Sequence, residues 1–169
     1  MTPDTPLPAT PPNRPTRLLF VCMGNICRSP LAEGLFVHLA REQGVLDRFE
    51  VDSAGTGGWH CGERADPRSL AVAREHGIEL PSRARQITTA DFQRFDRLIV
   101  MDRQNEHDLL SMGAPSSKIE FLLRHHPTPP MSEVPDPYLG GPDGFEQMYE
   151  LIDASCRGLL ESLLQEPAS

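Results

Sequence analysis

The chain has 169 residues, of which 38% are hydrophobic, and it carries a formal net charge of −8 at pH 7. This length suits a single domain, which at this size buries roughly 70% of its unfolded surface without metals or disulfides. The acidic balance argues against a nucleic-acid partner or an anionic membrane, because either would require a basic face.

Targeting and membrane segments are not visible in the sequence. The longest apolar run, residues 18–23, is far shorter than the ~20 residues that a membrane helix needs. The N-terminus has no apolar signal-peptide core. We therefore expect a cytosolic protein without a membrane partner, whose four cysteines are thiols rather than a disulfide framework. Their spacing matches no zinc site, and we expect no metal or other cofactor.

The N-terminal segment differs in composition from the rest. Six prolines and almost no large apolar side chains occur in residues 1–16. This composition predicts a disordered or polyproline-like arm, and it favours an inert extension over a ligand for a partner. The remaining chain, residues 17–169, is predicted to form one domain.

Strands and helices alternate along that domain. Apolar runs predict strands over 17–22, 49–53, 97–101 and 119–123. Helices are predicted over 29–43, 67–76, 88–92 and 102–112, and a C-terminal helix begins near Asp143. Strand, helix, strand is typical of a parallel sheet with right-handed crossovers. We predict a three-layer α/β/α fold around a central four-stranded parallel sheet of order 2-1-3-4, with a phosphate-binding loop after strand one.

The loop after strand one contains the residues of greatest chemical interest. Cys22 precedes Arg28 by six positions, with Gly24 and Asn25 between them, two residue types that readily adopt positive φ. A loop curled in this way directs its backbone N–H groups inward, and the next helix adds its N-terminal N–H groups. The result is a nest for an anion, which also favours a cysteine thiolate. Ser29 can donate a hydrogen bond to the sulfur.

A structural interpretation of these residues is also open. Taken alone, Cys22 could be a small core residue and Arg28 a surface side chain on a helix. The preceding strand, the Gly-Asn turn and Pro30, which we expect at the first helical position, favour the anion nest instead.

Residues 21–30, Val-Cys-Met-Gly-Asn-Ile-Cys-Arg-Ser-Pro, resemble the signature of the low-molecular-weight protein tyrosine phosphatases, and further matches extend the resemblance over about residues 17 to 165. The resemblance implies that Cys22 is the nucleophile and Arg28 the phosphate-binding cation. It implies that Ser53 supports Asn25, and that Trp59 is a wall of the substrate pocket. The rest of the phosphate-binding loop would be Met23, Gly24, Asn25, Ile26, Cys27 and Ser29.

A proline-rich loop over residues 125–142 contains Asp136, between Pro135 and Pro137, and then Tyr138. The flanking prolines restrict the backbone and present the carboxylate on a stiff segment. By itself this pattern is typical of a turn. The resemblance makes Asp136 the general acid, because Asp-Pro-Tyr is the family's acid loop, and makes Tyr138 a second pocket wall.

Two positions depart from the family's pattern. Ser82 stands where the family commonly has histidine, which puts in doubt a supporting hydrogen bond at that position. Leu139 stands where a second aromatic often follows the tyrosine, which weakens the case for a regulatory phosphorylation site there.

The function implied is hydrolysis of phosphotyrosine in protein substrates through a phosphocysteine, by an enzyme expected to be a monomer. A Cys22–Cys27 disulfide is expected to give redox control. A protein-arginine phosphatase is an alternative, although its loop typically has threonine where this chain has Ile26. An arsenate reductase needs two further cysteines around residues 85–105, and none lie there. A non-enzymatic phosphotyrosine-binding module would be expected to lack the nucleophile or the acid.

Overall fold

A computed structural model describes residues 14–138, 140 and 142–166. Within this part of the chain, four parallel strands form one sheet of order β2-β1-β3-β4, which confirms the predicted topology. The strands are β1 (Thr16–Cys22), β2 (Phe49–Gly55), β3 (Arg97–Val100) and β4 (Ile119–Phe121).

β1 lies at the centre of the sheet and is buried on both faces, which explains its continuous apolar run. Leu18 and Phe20 pack into the larger core cluster, together with the helices on that face. Leu19 and Val21 point to the opposite face and pack into a second cluster. Because successive side chains of a strand alternate between faces, one apolar run supplies both cores.

Helices cover both faces of the sheet. They are α1 (Arg28–Glu42), α2 (Pro67–Glu75), α3 (Asp91–Arg94), α4 (Arg103–Ser111) and α5 (Pro142–Gln165). Gly44, just beyond α1, has a φ of 72°, the left-handed conformation that commonly ends a helix. The apolar stripe predicted for α5 is buried: Phe145, Met148, Ile152, Cys156, Leu159 and Leu163.

Several element boundaries differ from the sequence prediction by one to three residues, and three of the differences have a clear physical reason. α1 begins at Arg28, so Pro30 is its third residue rather than its first, a position where the backbone N–H still lacks an intrahelical acceptor. β4 ends at Phe121, because residues 122–125 turn into a short 3₁₀ helix. α3 begins at Asp91 rather than Thr88, because the Asp91 carboxylate accepts a 2.8 Å hydrogen bond from the Thr88 N–H and holds a turn there.

The predicted arm falls almost entirely on residues outside the described part, which begins at Arg14. The Arg14 guanidinium lies 3.0 Å from the Asp96 carboxylate, and Thr16 already belongs to β1. Leu139 also lies outside the described residues. Within the described ranges, no helix is both long and apolar enough to cross a bilayer. No cluster of three or more histidine, cysteine or acidic side chains in those ranges could hold a metal ion.

Candidate active site

The loop between β1 and α1 curls at the carboxyl end of the central strand, and the end of β2 presses against it. Thr56 N–H donates to the Cys22 carbonyl and Gly57 N–H to the Met23 carbonyl, both at 2.9 Å. A Cβ on Gly55 would lie only 2.7 Å from the Met23 carbonyl oxygen, so this close approach requires glycine. Asn25 occupies the left-handed region with a φ of 57°.

The amide of Asn25 holds the loop in shape. Its Oδ1 accepts a 2.9 Å hydrogen bond from the Arg85 N–H, and this bond fixes the amide's orientation. Its Nδ2 therefore donates to Ser29 Oγ at 2.8 Å and to Ser53 Oγ at 3.0 Å. The predicted support of Asn25 by Ser53 thus corresponds to a hydrogen bond in the structure.

The sulfur of Cys22 lies at the end of this chain of hydrogen bonds. Ser29 Oγ is 3.0 Å from Cys22 Sγ, and the Ser29 N–H donates to the same sulfur at 3.4 Å. Because Ser29 Oγ accepts from Asn25, its own hydrogen is available for the sulfur. A thiolate at this position would accept both hydrogen bonds.

Glu33 extends the same chain away from the sulfur. Ser53 Oγ lies 2.6 Å from Glu33 Oε1 and, because it accepts from Asn25, donates its hydrogen to that carboxylate. Burial raises the pKa of Glu33, and the neighbouring charge of Asp52 adds to the increase. Sequence reasoning missed Glu33. Its position four residues after Ser29, on the same face of α1, was the available signal.

Arg28 is buried, with 2% of its surface exposed, and one edge of its guanidinium is occupied by protein groups. Nη1 donates to Asp102 Oδ2 at 2.7 Å and to the Val134 carbonyl at 2.9 Å. Nε is buried and has no hydrogen-bond partner among the described residues, and Nη2 lies 3.6 Å from Asp136 Oδ2. The Nε–Nη2 edge is therefore the one that can bind an oxyanion bidentately.

Asp102 was also missed by sequence reasoning, although it orients this guanidinium. It lies two residues beyond the end of β3 and caps α4, where its carboxylate accepts a hydrogen bond from the Asn105 N–H at 2.8 Å. Burial alone would lower the pKa of Arg28, but the charges of Cys22, Asp102 and Asp136 and the hydrogen bond to Asp102 outweigh burial and raise it. The signal was the position of Asp102 at the carboxyl end of a strand paired with β1.

Asp136 approaches the loop from the proline-rich segment before α5. Val134 anchors that segment, since its side chain is buried and its N–H donates to the Met101 carbonyl at 2.9 Å. Asp136 Oδ1 accepts a hydrogen bond from the Tyr138 N–H at 3.1 Å, which constrains the carboxylate. Both carboxyl oxygens thus have neighbours, and Oδ2 faces Arg28.

A cavity of about 240 Å³ opens above the loop. Trp59 and Tyr138 form its outer walls, with 70% and 41% of their surfaces exposed. The Trp59 ring rests on Gly57, where a Cβ would lie 1.8 Å from the indole. His60, which sequence reasoning missed although it follows Trp59 directly, also lines the cavity. Among the residues that the structure describes, the lining consists of Cys22, Met23, Gly24, Ile26, Cys27, Arg28, Trp59, His60, Asp136 and Tyr138.

The structure thus divides the sequence-predicted residues into two groups. The nucleophile, arginine and acid candidates line the cavity with the two aromatic walls. Asn25, Ser29 and Ser53 are buried outside the cavity lining and hold the loop in shape by hydrogen bonds to one another.

Comparisons with known proteins agree with this geometry. The family model described as low molecular weight phosphotyrosine protein phosphatase matches residues 17–168. A low molecular weight protein-tyrosine-phosphatase from Streptomyces coelicolor is 42% identical over 155 residues, which cover 89% of this chain and 94% of the relative.

Solved structures are similar over the same region. YfkJ from Bacillus subtilis superimposes with a TM-score of 0.85 at 38% identity, covering 90% of this chain and 96% of YfkJ. The Drosophila arginine phosphatase DARP superimposes with a TM-score of 0.80 at 33% identity, covering 89% of this chain and 99% of DARP.

Proposed function

Because the chain belongs to the low molecular weight phosphotyrosine protein phosphatase family, we propose that it hydrolyses phosphotyrosine in proteins, and small aryl phosphates, through a phosphocysteine on Cys22. One observation carries this proposal. Cys22, the Nε–Nη2 edge of Arg28 and the carboxylate of Asp136 converge on a single cavity with aromatic walls.

The first step transfers the phosphoryl group to sulfur. The Cys22 thiolate attacks phosphorus in line with the departing phenolic oxygen, so that an S–P bond forms as the P–O bond breaks. Arg28 and backbone N–H groups of the loop stabilise the three equatorial oxygens of a loose transition state. Asp136 gives its proton to the phenolic oxygen, which leaves as a neutral phenol.

The second step regenerates the enzyme. Asp136, now a carboxylate, removes a proton from a water molecule that attacks the phosphocysteine. The S–P bond breaks, inorganic phosphate forms, and Cys22 returns as the thiolate. The residues of the site supply nucleophile, acid, base and anion binding for both steps.

The depth of the cavity supports a preference for phosphotyrosine. Cys22, beside which the phosphate would bind, is only 2% exposed, whereas Trp59 and Tyr138 are 70% and 41% exposed and lie nearer to solvent. A phosphorylated phenol is long enough to reach the sulfur while its ring packs between these walls, and phosphoserine is too short to do both. Each aromatic contact contributes about 0.5–1.5 kcal/mol, so reach and orientation must supply the larger part of the preference.

Replacing Trp59 with alanine should narrow the ratio of kcat/KM between matched phosphotyrosine and phosphoserine peptides by about tenfold, because one aromatic contact is lost. Hydrolysis of small aryl phosphates should persist, since the nucleophile, arginine and acid are unchanged. Steady-state kinetics on the two peptides measure the ratio. Leu110→Ala, which removes an exposed apolar side chain outside the cavity, is the matched control.

The same assay separates the proposed substrate from its competitor. A phosphoarginine peptide is included, because DARP is an arginine phosphatase of the same fold. Equal kcat/KM on phosphotyrosine and phosphoserine by the wild-type protein would defeat the tyrosine proposal. A clear preference for phosphoarginine would assign the site to that substrate. We do not expect this result, because Ile26 adds apolar surface to the cavity.

We also propose that a disulfide between Cys22 and Cys27 protects the nucleophile from over-oxidation. Both thiols line the cavity. Burial, and then the charges of Asp66, Cys22 and Asp136, raise the pKa of Cys27 to about 12. Peroxide therefore attacks Cys22 rather than Cys27, forming a sulfenic acid and releasing water or hydroxide. Attack of the Cys27 sulfur then releases a second water and closes the disulfide.

Mass spectrometry after mild peroxide treatment should find the two residues joined, and activity should return with dithiothreitol. In Cys27→Ser, the same treatment should convert Cys22 to sulfinic or sulfonic acid with irreversible loss of activity. If dithiothreitol restored the activity of peroxide-treated Cys27→Ser as fully as that of the wild type, the protective role of the disulfide would be contradicted.

We further propose a cytosolic monomer that acts on phosphoproteins without nucleic-acid or membrane partners. The net charge of −8 supports this proposal, because it disfavours binding to polyanions. The four cysteines, all free thiols, are also in keeping with a reducing compartment.

A further inference from the structure

The segment that contains Arg85 passes behind the phosphate-binding loop. The end of β2 holds its main chain by two hydrogen bonds, from Gly55 N–H to the Arg85 carbonyl and from Ile87 N–H to the Gly55 carbonyl, both 2.8 Å. The Arg85 N–H is directed at Asn25 Oδ1. This N–H is the group that decides which way the Asn25 amide faces.

The side chain of Arg85 runs in the opposite direction and is held by two carboxylates. Nη1 and Nη2 bind the two oxygens of Asp91 at 3.0 and 3.1 Å, and Nε donates to Asp52 Oδ2 at 3.1 Å. Asp91 is only 5% exposed and also accepts from the Thr88 N–H. The Arg85 guanidinium thus connects the first residue of α3 to β2, and these contacts hold the Arg85 main chain in place.

Opposite charges strengthen the contacts of Arg85 with Asp91 and Asp52, which we call the Arg85 clamp. Burial alone would lower the pKa of Arg85, but its hydrogen bond to Asp91 and the charge of Asp52 outweigh burial and raise it. Burial alone would raise the pKa of Asp91, but its hydrogen bonds to Arg85 and Thr88 outweigh burial and lower it. Both groups are therefore charged at neutral pH, and a bidentate pair between them has a defined geometry.

We propose that Arg85 is a positioning residue for the nucleophile. Clamped by Asp91 and Asp52, it fixes the main-chain N–H that orients the Asn25 amide, and that orientation leaves the Ser29 hydroxyl free to donate to Cys22. The role of Cys22 as nucleophile rests on the proposed function, whereas the effect of Arg85 on the sulfur does not require turnover. Arg85 lies outside the cavity lining and acts only through Asn25.

The test measures the sulfur directly, by the rate at which iodoacetate alkylates Cys22 at a fixed, mildly acidic pH. In Arg85→Gln, the Cys22 thiolate should lose the hydrogen bond from the Ser29 hydroxyl, and alkylation should therefore slow about tenfold. The kcat/KM for p-nitrophenyl phosphate should fall in parallel. Arg85→Lys should recover only part of the rate, because an ammonium cannot bind Asp91 bidentately. Asp91→Asn should slow alkylation in the same direction.

The matched control is Arg97→Gln. Arg97 pairs with Glu120 and with Glu166 from the start of β3, at the opposite end of the sheet from the cavity. This variant also removes an arginine held by two carboxylates, and it should leave the alkylation rate unchanged. Thermal denaturation of all variants separates loss of stability from loss of positioning, since alkylation is measured well below the melting temperature.

A double mutant decides whether the effect passes through Asn25. If it does, Arg85→Gln combined with Asn25→Ala should alkylate no more slowly than Asn25→Ala alone. If the two substitutions slowed alkylation by independent factors that multiply in the double mutant, the proposal would be overturned. An Arg85→Gln variant with a lower melting temperature but an unchanged alkylation rate would also overturn it. If Arg85→Gln does not fold, Asp91→Asn takes its place in the same cycle. The two proposals can fail separately. If the wild-type protein does not hydrolyse phosphotyrosine but the variants still alkylate more slowly than the wild type, the proposed substrate is refuted and the positioning role of Arg85 stands.

Discussion

Replacing Cys22 with serine should reduce turnover of p-nitrophenyl phosphate by more than about a hundredfold, because a serine hydroxyl does not ionise at neutral pH and is a far weaker nucleophile than a thiolate. The variant should still bind inorganic phosphate, since Arg28 and the loop N–H groups remain. Isothermal titration calorimetry measures that binding and steady-state kinetics the turnover.

The matched control for this variant is Cys61→Ser, which removes an exposed thiol outside the cavity lining. It should retain wild-type turnover. Residual activity of Cys22→Ser above about a hundredth of the wild-type rate, in protein free of wild-type contamination, would rule out Cys22 as the nucleophile.

Replacing Asp136 with alanine should produce a loss that depends on the leaving group. A phenol with a pKa near that of tyrosine, about 10, needs a proton as it departs, and general acid catalysis of such a step contributes about 10²–10⁴ in rate. A more acidic nitrophenol departs more readily as its anion. The rate of enzyme phosphorylation across a series of aryl phosphates should therefore fall more steeply with leaving-group pKa in the variant.

Glu133→Ala provides a control in the same proline-rich segment. The Glu133 carboxylate accepts a hydrogen bond from the Arg103 N–H and lies outside the cavity lining. Its removal should leave the leaving-group dependence unchanged. An Asp136→Ala variant whose slope equals that of the wild type would show that another group protonates the leaving oxygen.

The alternation of strands and helices and the position of the loop were predictable because both depend on short-range sequence patterns. The apolar run of β1 and the Gly-Asn turn lie next to each other in the chain, so one window of sequence specifies strand, loop and helix start. Errors occurred at element ends, as in β4, where the apolar and buried Leu122 and Leu123 belong to a 3₁₀ turn rather than to the strand. Burial alone does not distinguish a strand from a turn.

Asp102 and Arg85 were harder to predict, because each reaches the loop from a distant part of the chain. Asp102 holds Arg28 from 74 positions away, and the Arg85 N–H holds Asn25 from 60 positions away. An aspartate after a strand is an ordinary helix cap, and the contribution of Arg85 to the loop is a main-chain N–H that every non-proline residue has. Only the three-dimensional arrangement reveals these contacts.

Mass spectrometry of enzyme quenched in acid during turnover tests the phosphocysteine most directly. Asp136→Ala with p-nitrophenyl phosphate is the best source, because the intermediate forms with an acidic leaving group but lacks the base that speeds its hydrolysis. Trypsin should release residues 18–28, which contain both Cys22 and Cys27, so fragmentation must locate the added phosphoryl group. The expected result is one phosphoryl group on Cys22. The double variant Asp136→Ala, Cys22→Ser should carry none. A phosphoryl group on another residue, or unmodified peptide despite a burst of nitrophenol, would contradict the mechanism.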